Sequence, residues 1–265
     1  MLCGQAAAAT PGRWVAVAVH RDSGPVHAVL TVERQRTSFG SYDYRDLRLR
    51  VSVDGKTVFD QGLCTPQTCG IATQHTLSLR NVWGDRVPEV LLDSYSGGAH
   101  CCFGTTVVFL DGPRAGRSAF ELWGDPGYRL VSRAGTTVFV SADDRFAYEF
   151  TSFAGSGLPI EVLALDTNGA FKNVTRAWPG LIRADAKVWW KGYVSQRGRS
   201  GNDVRGVFGA WCADEYLLGQ GRACESELKR ALAEGYLQGP TIWPQNDKFA
   251  ALLHKQLDKW GYSPS

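Results

Sequence analysis

No two cysteines in this chain are spaced as CxxC, the arrangement that most strongly marks a structural zinc site. No run of about eighteen apolar residues occurs, so no segment reads as a membrane-spanning helix. The P-loop, the glycine fingerprint of dinucleotide-binding folds and the HExxH metalloprotease pair are also missing. Nor is there an excess of one charge. The formal balance is +3 over 265 residues, with acids and bases interspersed, which describes a mixed solvated surface rather than a nucleic-acid face. What remains is an ordinary globular composition, 44% hydrophobic and 21% charged. The length suits one large domain or two of common size.

Seven cysteines are present, at 3, 64, 69, 101, 102, 212 and 224. Without zinc spacing, that number points to disulfides formed in an oxidising compartment. The first ten residues, MLCGQAAAAT, fit this reading. Their small residues in an A-x-A pattern at Ala6–Ala8 or Ala7–Ala9 look like the end of a secretory signal. Residues 1–10 are therefore expected to be a signal-peptide remnant and the protein to be secreted. Losing them removes Cys3 and leaves an even six cysteines. Cys64 and Cys69 flank a short turn containing Pro66, close enough to bond each other. Cys212 and Cys224 lie either side of LLGQGR (217–222) and would clamp a helix corner. For the neighbours Cys101 and Cys102 two pairings stay open: with each other, or crossed to Cys64 and Cys69. A metal held by His100, Cys101 and Cys102 is disfavoured, because successive strand residues point to opposite faces.

From Arg13 to about Thr175 the hydrophobic period is two. RWVAVAVH, HAVLTVERQ, DLRLRVSVD, HTLSLRNV, EVLLDSY, TTVVFLD, TTVFVSA, FAYEFTS and IEVLALD all read as strands. Asp54-Gly55 between RLRVSV and KTVFD signals a hairpin. After Trp178-Pro179 the period becomes helical. Ile182, Ala186, Trp189 and Tyr193 share one face, while Arg183, Lys187 and Lys191 form a solvated stripe on another. Further helices are expected from Asn202 (burying Val204, Val207, Phe208 and Trp211), from Cys224 to Gly235, and from Asn246. The expected fold class is α+β: an antiparallel all-β region, sandwich or partial propeller, over 11–179, then a four-helix segment over 180–265. Trp189, Trp190, Trp211 and Trp260 either line a sugar groove or build the core, and core is the simpler reading.

The run NVWGDRVPEVLLDSYSGGAHCCF (81–103) resembles the loop-strand unit of FG-GAP or VCBS-type repeats, in the form found in secreted bacterial proteins carrying GGAHCC. Residues 127–162 and 166–179 look like further pieces of the same proteins. The resemblance implies a β-repeat fold, and it implies that Cys101 and Cys102 form a self-contained vicinal pair. It also implies a calcium loop, in which alternate carboxylates converge on one hard cation. On the family's pattern Asn81, Asp85 and Glu89 would be the ligands. Here, however, Trp83 stands where an acid is expected and Arg86 where a glycine is, so the loop is degenerate.

No catalytic signature emerges. AGSGL (154–158) has Ala154 at the first glycine position of G-x-S-x-G and is followed by a strand, not a helix. Asp143 and Asp144 are adjacent and would diverge on an extended chain, whereas glycoside hydrolysis needs two converging acids. They read as a turn with Arg145 as ion partner. His20, His27, His75 and His254 are scattered. The favoured reading is a secreted, disulfide-stabilised binding or structural module with its surface at Gly97, Gly98, His100, Cys101 and Cys102, no catalytic residues, and a cell-surface glycan or a protein as the partner class. The competing reading is an extracellular hydrolase with a site around His100, Asp143 and Asp144.

Overall fold

The computed structural model describes residues 12–38, 40–65, 69–71, 76–84, 87–98 and 101–263, with Gly98 and Cys101 described by backbone alone. The architecture is α+β: three antiparallel sheets followed by four helices. The first sheet is a meander of β1 (Val15–Ser23), β2 (Val26–Arg36), β3 (Tyr42–Val53) and β4 (Lys56–Gly62). Its Asp54-Gly55 turn is a hairpin in the expected register, Val53 opposite Lys56, with φ of 50° and 74° at the two turn residues. Positive φ at both positions suits the right-handed twist of the flanking strands.

The second sheet holds β5 (Gly70–Ile71), β6 (Leu77–Arg80), β7 (Glu89–Gly98), β8 (Cys101–Val108) and β9 (Ser118–Gly124); β5 and β6 both pair with β7. Alternate residues of β2 and β3, among them Ala28, Leu30, Leu49 and Val51, share one apolar core with Leu77, Val90, Leu92 and Val108. The period-two pattern thus becomes one dry face per sheet.

The third sheet runs β10 (Arg129–Arg133), β11 (Thr136–Ala142), β12 (Ile160–Leu165) and β13 (Phe171–Asn173) in sequence order. Val138, Val140, Ile160 and Val162 pack with Ile182 of α1 (Pro179–Gln196). The remaining helices are α2 (Arg205–Leu217), α3 (Gly221–Ala233) and α4 (Asn246–Lys259). On α1 the expected face holds: Ile182, Ala186 and Tyr193 are buried, and Trp189 packs partly buried against the helical core. Trp211 is buried in that core, Trp189 and Trp260 border it, and Trp190 stacks on Trp211 with ring centroids 4.6 Å apart.

Two expectations need correction. FAYEFTS (146–152) is not a strand. It forms a 3-10 turn at Asp144–Phe146 and a bend, with φ of 62° at Tyr148. Phe146 and Phe150, four residues apart, pack on each other at 5.9 Å inside the helical core, so the operative spacing is four rather than two. The second helix begins at Arg205, not at Asn202. Asp203 directs its carboxylate to the backbone N–H and guanidinium of Arg205, and Val204 occupies the cap.

Strands give way to helices at Pro179, but compactness divides the chain differently. One unit comprises Met1–Gly127, Ser132–Thr137 and Leu165–Phe171; the other comprises Tyr128–Val131, Val138–Ala164 and Lys172–Ser265. No helix among the described residues is long and apolar enough to cross a membrane.

Candidate binding cleft beside Gly97

Two of the expected disulfides are present. Cys64 bonds Cys69 with Cα atoms 4.2 Å apart, and Cys212 bonds Cys224 at 5.0 Å. The pairing of Cys64 with Cys69 removes the crossed alternative. Cys102 is also disulfide-bonded and is 7% exposed. The expectation that Cys101 is its partner falls on a side chain outside the described residues, as do His100 and Cys3.

β7 and β8 run antiparallel with Tyr95 opposite Phe103, then slip in register before Gly98 meets Cys101. Gly97 sits in this irregularity with φ of 86°, a left-handed conformation that glycine adopts without steric cost. The Cys102 N–H donates to Ser96 Oγ at 2.7 Å, pinning the bulge. On the other side of β7, Gly70 lies opposite Tyr95. A Cβ there would collide with the Tyr95 carbonyl and stand 3.4 Å from a Tyr44 ring carbon, so only glycine allows this approach.

These features border a cavity of about 530 Å³ in the first unit, lined by Tyr42, Asp43, Tyr44, Tyr95, Gly97 and the Cys64–Cys69 bridge. Tyr42 and Tyr44 project from β3 two residues apart, ring centroids 6.3 Å from each other. Tyr95 stacks on Phe103 at 4.7 Å, which fixes its ring. Arg34 lies over the Tyr42 ring at 4.7 Å. Burial raises the Tyr44 phenol above its ordinary pKa, while Arg34 pulls the other way, so the hydroxyl stays protonated at neutral pH. Among the described lining residues Asp43 carries the one formal charge. Flat aromatic faces, neutral hydroxyls and a single carboxylate suit a ligand with both apolar faces and hydroxyl groups.

The calcium loop is built for another purpose. Glu89 is 2% exposed, and its Oε2 accepts the N–H groups of Val82 at 2.9 Å and Trp83 at 3.2 Å. Asn81 Oδ1 accepts the Gly84 N–H at 2.6 Å. These oxygens face backbone donors rather than a common point, so Asn81 and Glu89 do not fit a calcium shell; Asp85 lies outside the described residues. Trp83, at an acid's place in the family pattern, carries the Arg114 guanidinium at 4.0 Å from its ring centroid. A cation of the protein itself thus packs on this loop.

In the hydrolase reading, Asp143 is otherwise occupied, and His100 lies outside the described residues. Asp143 is 3% exposed and takes a two-pronged contact from Arg145, Nε at 2.8 Å and Nη2 at 2.6 Å, plus the Tyr262 hydroxyl at 2.8 Å. This is the turn with an Arg145 partner that the sequence suggests. Asp144 belongs to the same 3-10 turn. Arg145, Glu161, Asn173, Arg176 and Trp260 border a separate cavity of about 690 Å³ in the second unit. Asp93 accepts the Thr105 hydroxyl at 2.7 Å, and Thr105 in turn accepts the Trp123 indole N–H at 2.8 Å. No three metal-ligating side chains cluster among the described residues.

The tyrosine cleft escaped sequence reading because its rings come from strands about fifty residues apart, and nothing local marks that pairing. Of its lining, the sequence alone marks Gly97 and the cysteines Cys64 and Cys69.

An uncharacterized protein of Sinorhizobium fredii, y4bJ, is 24% identical to this chain over 212 residues, which is 72% of this chain and 30% of that protein. A probable thylakoid lumen protein of Synechocystis, sll0997, is 28% identical over 139 residues, 50% of this chain and 40% of that protein. The chain therefore spans well under half the length of either relative. No family model matches the chain, and no solved structure matches it.

Proposed function

We propose that this chain is an exported binding module of the FG-GAP or VCBS-like kind, held by disulfides, that takes a neutral glycan in the tyrosine cleft beside Gly97. One observation carries the reading: three tyrosines and one aspartate converge on a single cavity walled by a disulfide. Sugar rings stack their C–H faces on aromatic side chains and give their hydroxyls to carboxylates and phenols. The carboxylate of Asp43 in the lining favours a neutral over a strongly anionic ligand. Export is supported by the bridges and by the relative named a probable thylakoid lumen protein.

A glycan and peptidoglycan array probed with oxidised protein tests the ligand. Tyr44→Ala and Tyr95→Ala should each weaken a positive signal about tenfold, since aromatic anchors dominate such sites. A blank array, or a signal indifferent to both changes, removes the reading. N-terminal sequencing of the native protein tests export, and a retained Met1 on a cytoplasmic protein contradicts it.

A further inference from the structure

The hairpin of β1 and β2 gathers residues that lie apart in the sequence. It turns at Gly24-Pro25 and pairs Ser23 with Val26, Asp22 with His27 and His20 with Val29. Val26, Ala28 and Leu30 point into the core, so by strand alternation His27 and Val29 point outward, and with them their partners Asp22 and His20. The two imidazole rings meet on that outer face, centroids 5.9 Å apart and planes inclined by 36°. Asp22 Oδ1 contacts His27 Nδ1 directly. The nearest outward arginine in the same row, Arg50, is engaged with Asp60 on β4 at 2.9 Å.

We infer that His20 and His27 form a two-imidazole site for a divalent transition-metal ion, with Asp22 as the positioning residue for His27. Metal–nitrogen bonds of about 2.0–2.1 Å around a tetrahedral ion put the centroids of two shared imidazoles roughly 5 Å apart. The observed 5.9 Å is within about 1 Å of that separation, and both rings stand at the surface, where side-chain rotation is open. A carboxylate on Nδ1 fixes the His27 tautomer so that Nε2 is the ligand, the arrangement that usually supports metal-binding histidines. Two nitrogen ligands leave the remaining positions to water. The ion is therefore exchangeable, and its ranking follows the intrinsic order for imidazole, copper(II) above zinc(II), with calcium excluded by ligand softness.

Calorimetric titration of chelator-treated, disulfide-intact protein with copper(II), zinc(II) and calcium(II) chlorides tests this. The expected result is one saturable copper equivalent, weaker zinc binding and no calcium binding. His20→Ala or His27→Ala should each abolish the saturable step. Asp22→Asn should weaken it about tenfold or more while leaving the stoichiometry at one. The copper spectrum should show coupling to two equivalent nitrogens, lost in either alanine variant. Unchanged binding in both alanine variants overturns the assignment, as does the lack of any saturable binding at millimolar metal. Glycan binding is read separately, so a failed metal site and a failed cleft are distinguishable.

Discussion

In the first unit the ion pairs are on the surface. Arg45 meets Glu33, and Arg48 and Arg50 share Asp60 across the outer face of a sheet, with the arginines half in water. In the second unit two clusters are drawn inward, while Arg145, Arg230 and the His254–Glu225 pair stay half in water. Arg205 is wholly buried, gripped by Asp203 and by the carbonyls of Trp243 and Pro244. Glu227 gathers the Tyr193 hydroxyl, Arg197 and Arg230. Exposed pairs contribute little to stability, whereas a buried charge must be fully satisfied or it destabilises strongly. The first unit rests on an aliphatic core between two sheets, which leaves its outer residues available for recognition. The second uses its polar side chains to lock helices and loops together.

The sharpest way to break this contrast is at Arg205. Arg205→Ala leaves the partly buried Asp203 with only the Thr151 hydroxyl and the backbone N–H of residue 205 and strands the carbonyls of Trp243 and Pro244, and the second unit should lose about 3–5 kcal/mol in denaturant melts. Arg48→Ala in the first unit should move the same measurement by less than about 1 kcal/mol. Equal losses would erase the distinction.

Opening the disulfides ranks next. The Cys212–Cys224 bridge closes a 12-residue separation, and its removal by paired serine substitution should cost about 3 kcal/mol on loop entropy. The Cys64–Cys69 bridge, with a separation of 5, should cost about 2 kcal/mol and also impair glycan binding, which the other pair should leave intact.

The third test concerns an acid pair within the second unit. Asp214 on α2 is fully buried and interacts electrostatically with Asp185 on α1, whose Oδ2 accepts the Ile160 N–H at 3.0 Å and the Trp189 indole N–H at 2.8 Å. Burial, then the neighbouring Asp185, pushes the Asp214 pKa up to about 10, and burial raises Asp185 as well. Folding thus retains a proton that the unfolded chain releases above about pH 4. The contribution of Asp214 to stability is fullest below that pH and falls as pH rises toward 10. Asp214→Asn should flatten this part of the profile and stabilise the protein at pH 7–8 by on the order of 1–2 kcal/mol. A Tm that stays parallel to wild type across pH 5–9 rejects the retained proton.

The smallest effect is expected at Glu89. Glu89→Gln keeps one acceptor for the Val82 and Trp83 N–H groups and should cost about 1 kcal/mol, with no dependence on added calcium. Calcium-dependent stability would restore the metal reading of the loop.

Much of the fold was legible because its signals are local. The Asp54-Gly55 turn and the Ile182–Tyr193 face were read from neighbours a few residues apart, and so were the Cys64–Cys69 and Cys212–Cys224 bridges. Phe146 and Phe150 misled because a short apolar run does not reveal whether its period is two or four. The Tyr42–Tyr44–Tyr95 cleft required knowing that β3 and β7 lie in sheets sharing a core, which no local pattern encodes. His20 and His27 read as scattered until the Gly24-Pro25 turn between them is placed; with it, their register follows by counting.

The Cys64–Cys69 bridge is part of the cleft's own wall. Reducing that bridge removes the wall while every tyrosine of the site stays in the chain, so on the proposed reading recognition depends on oxidation.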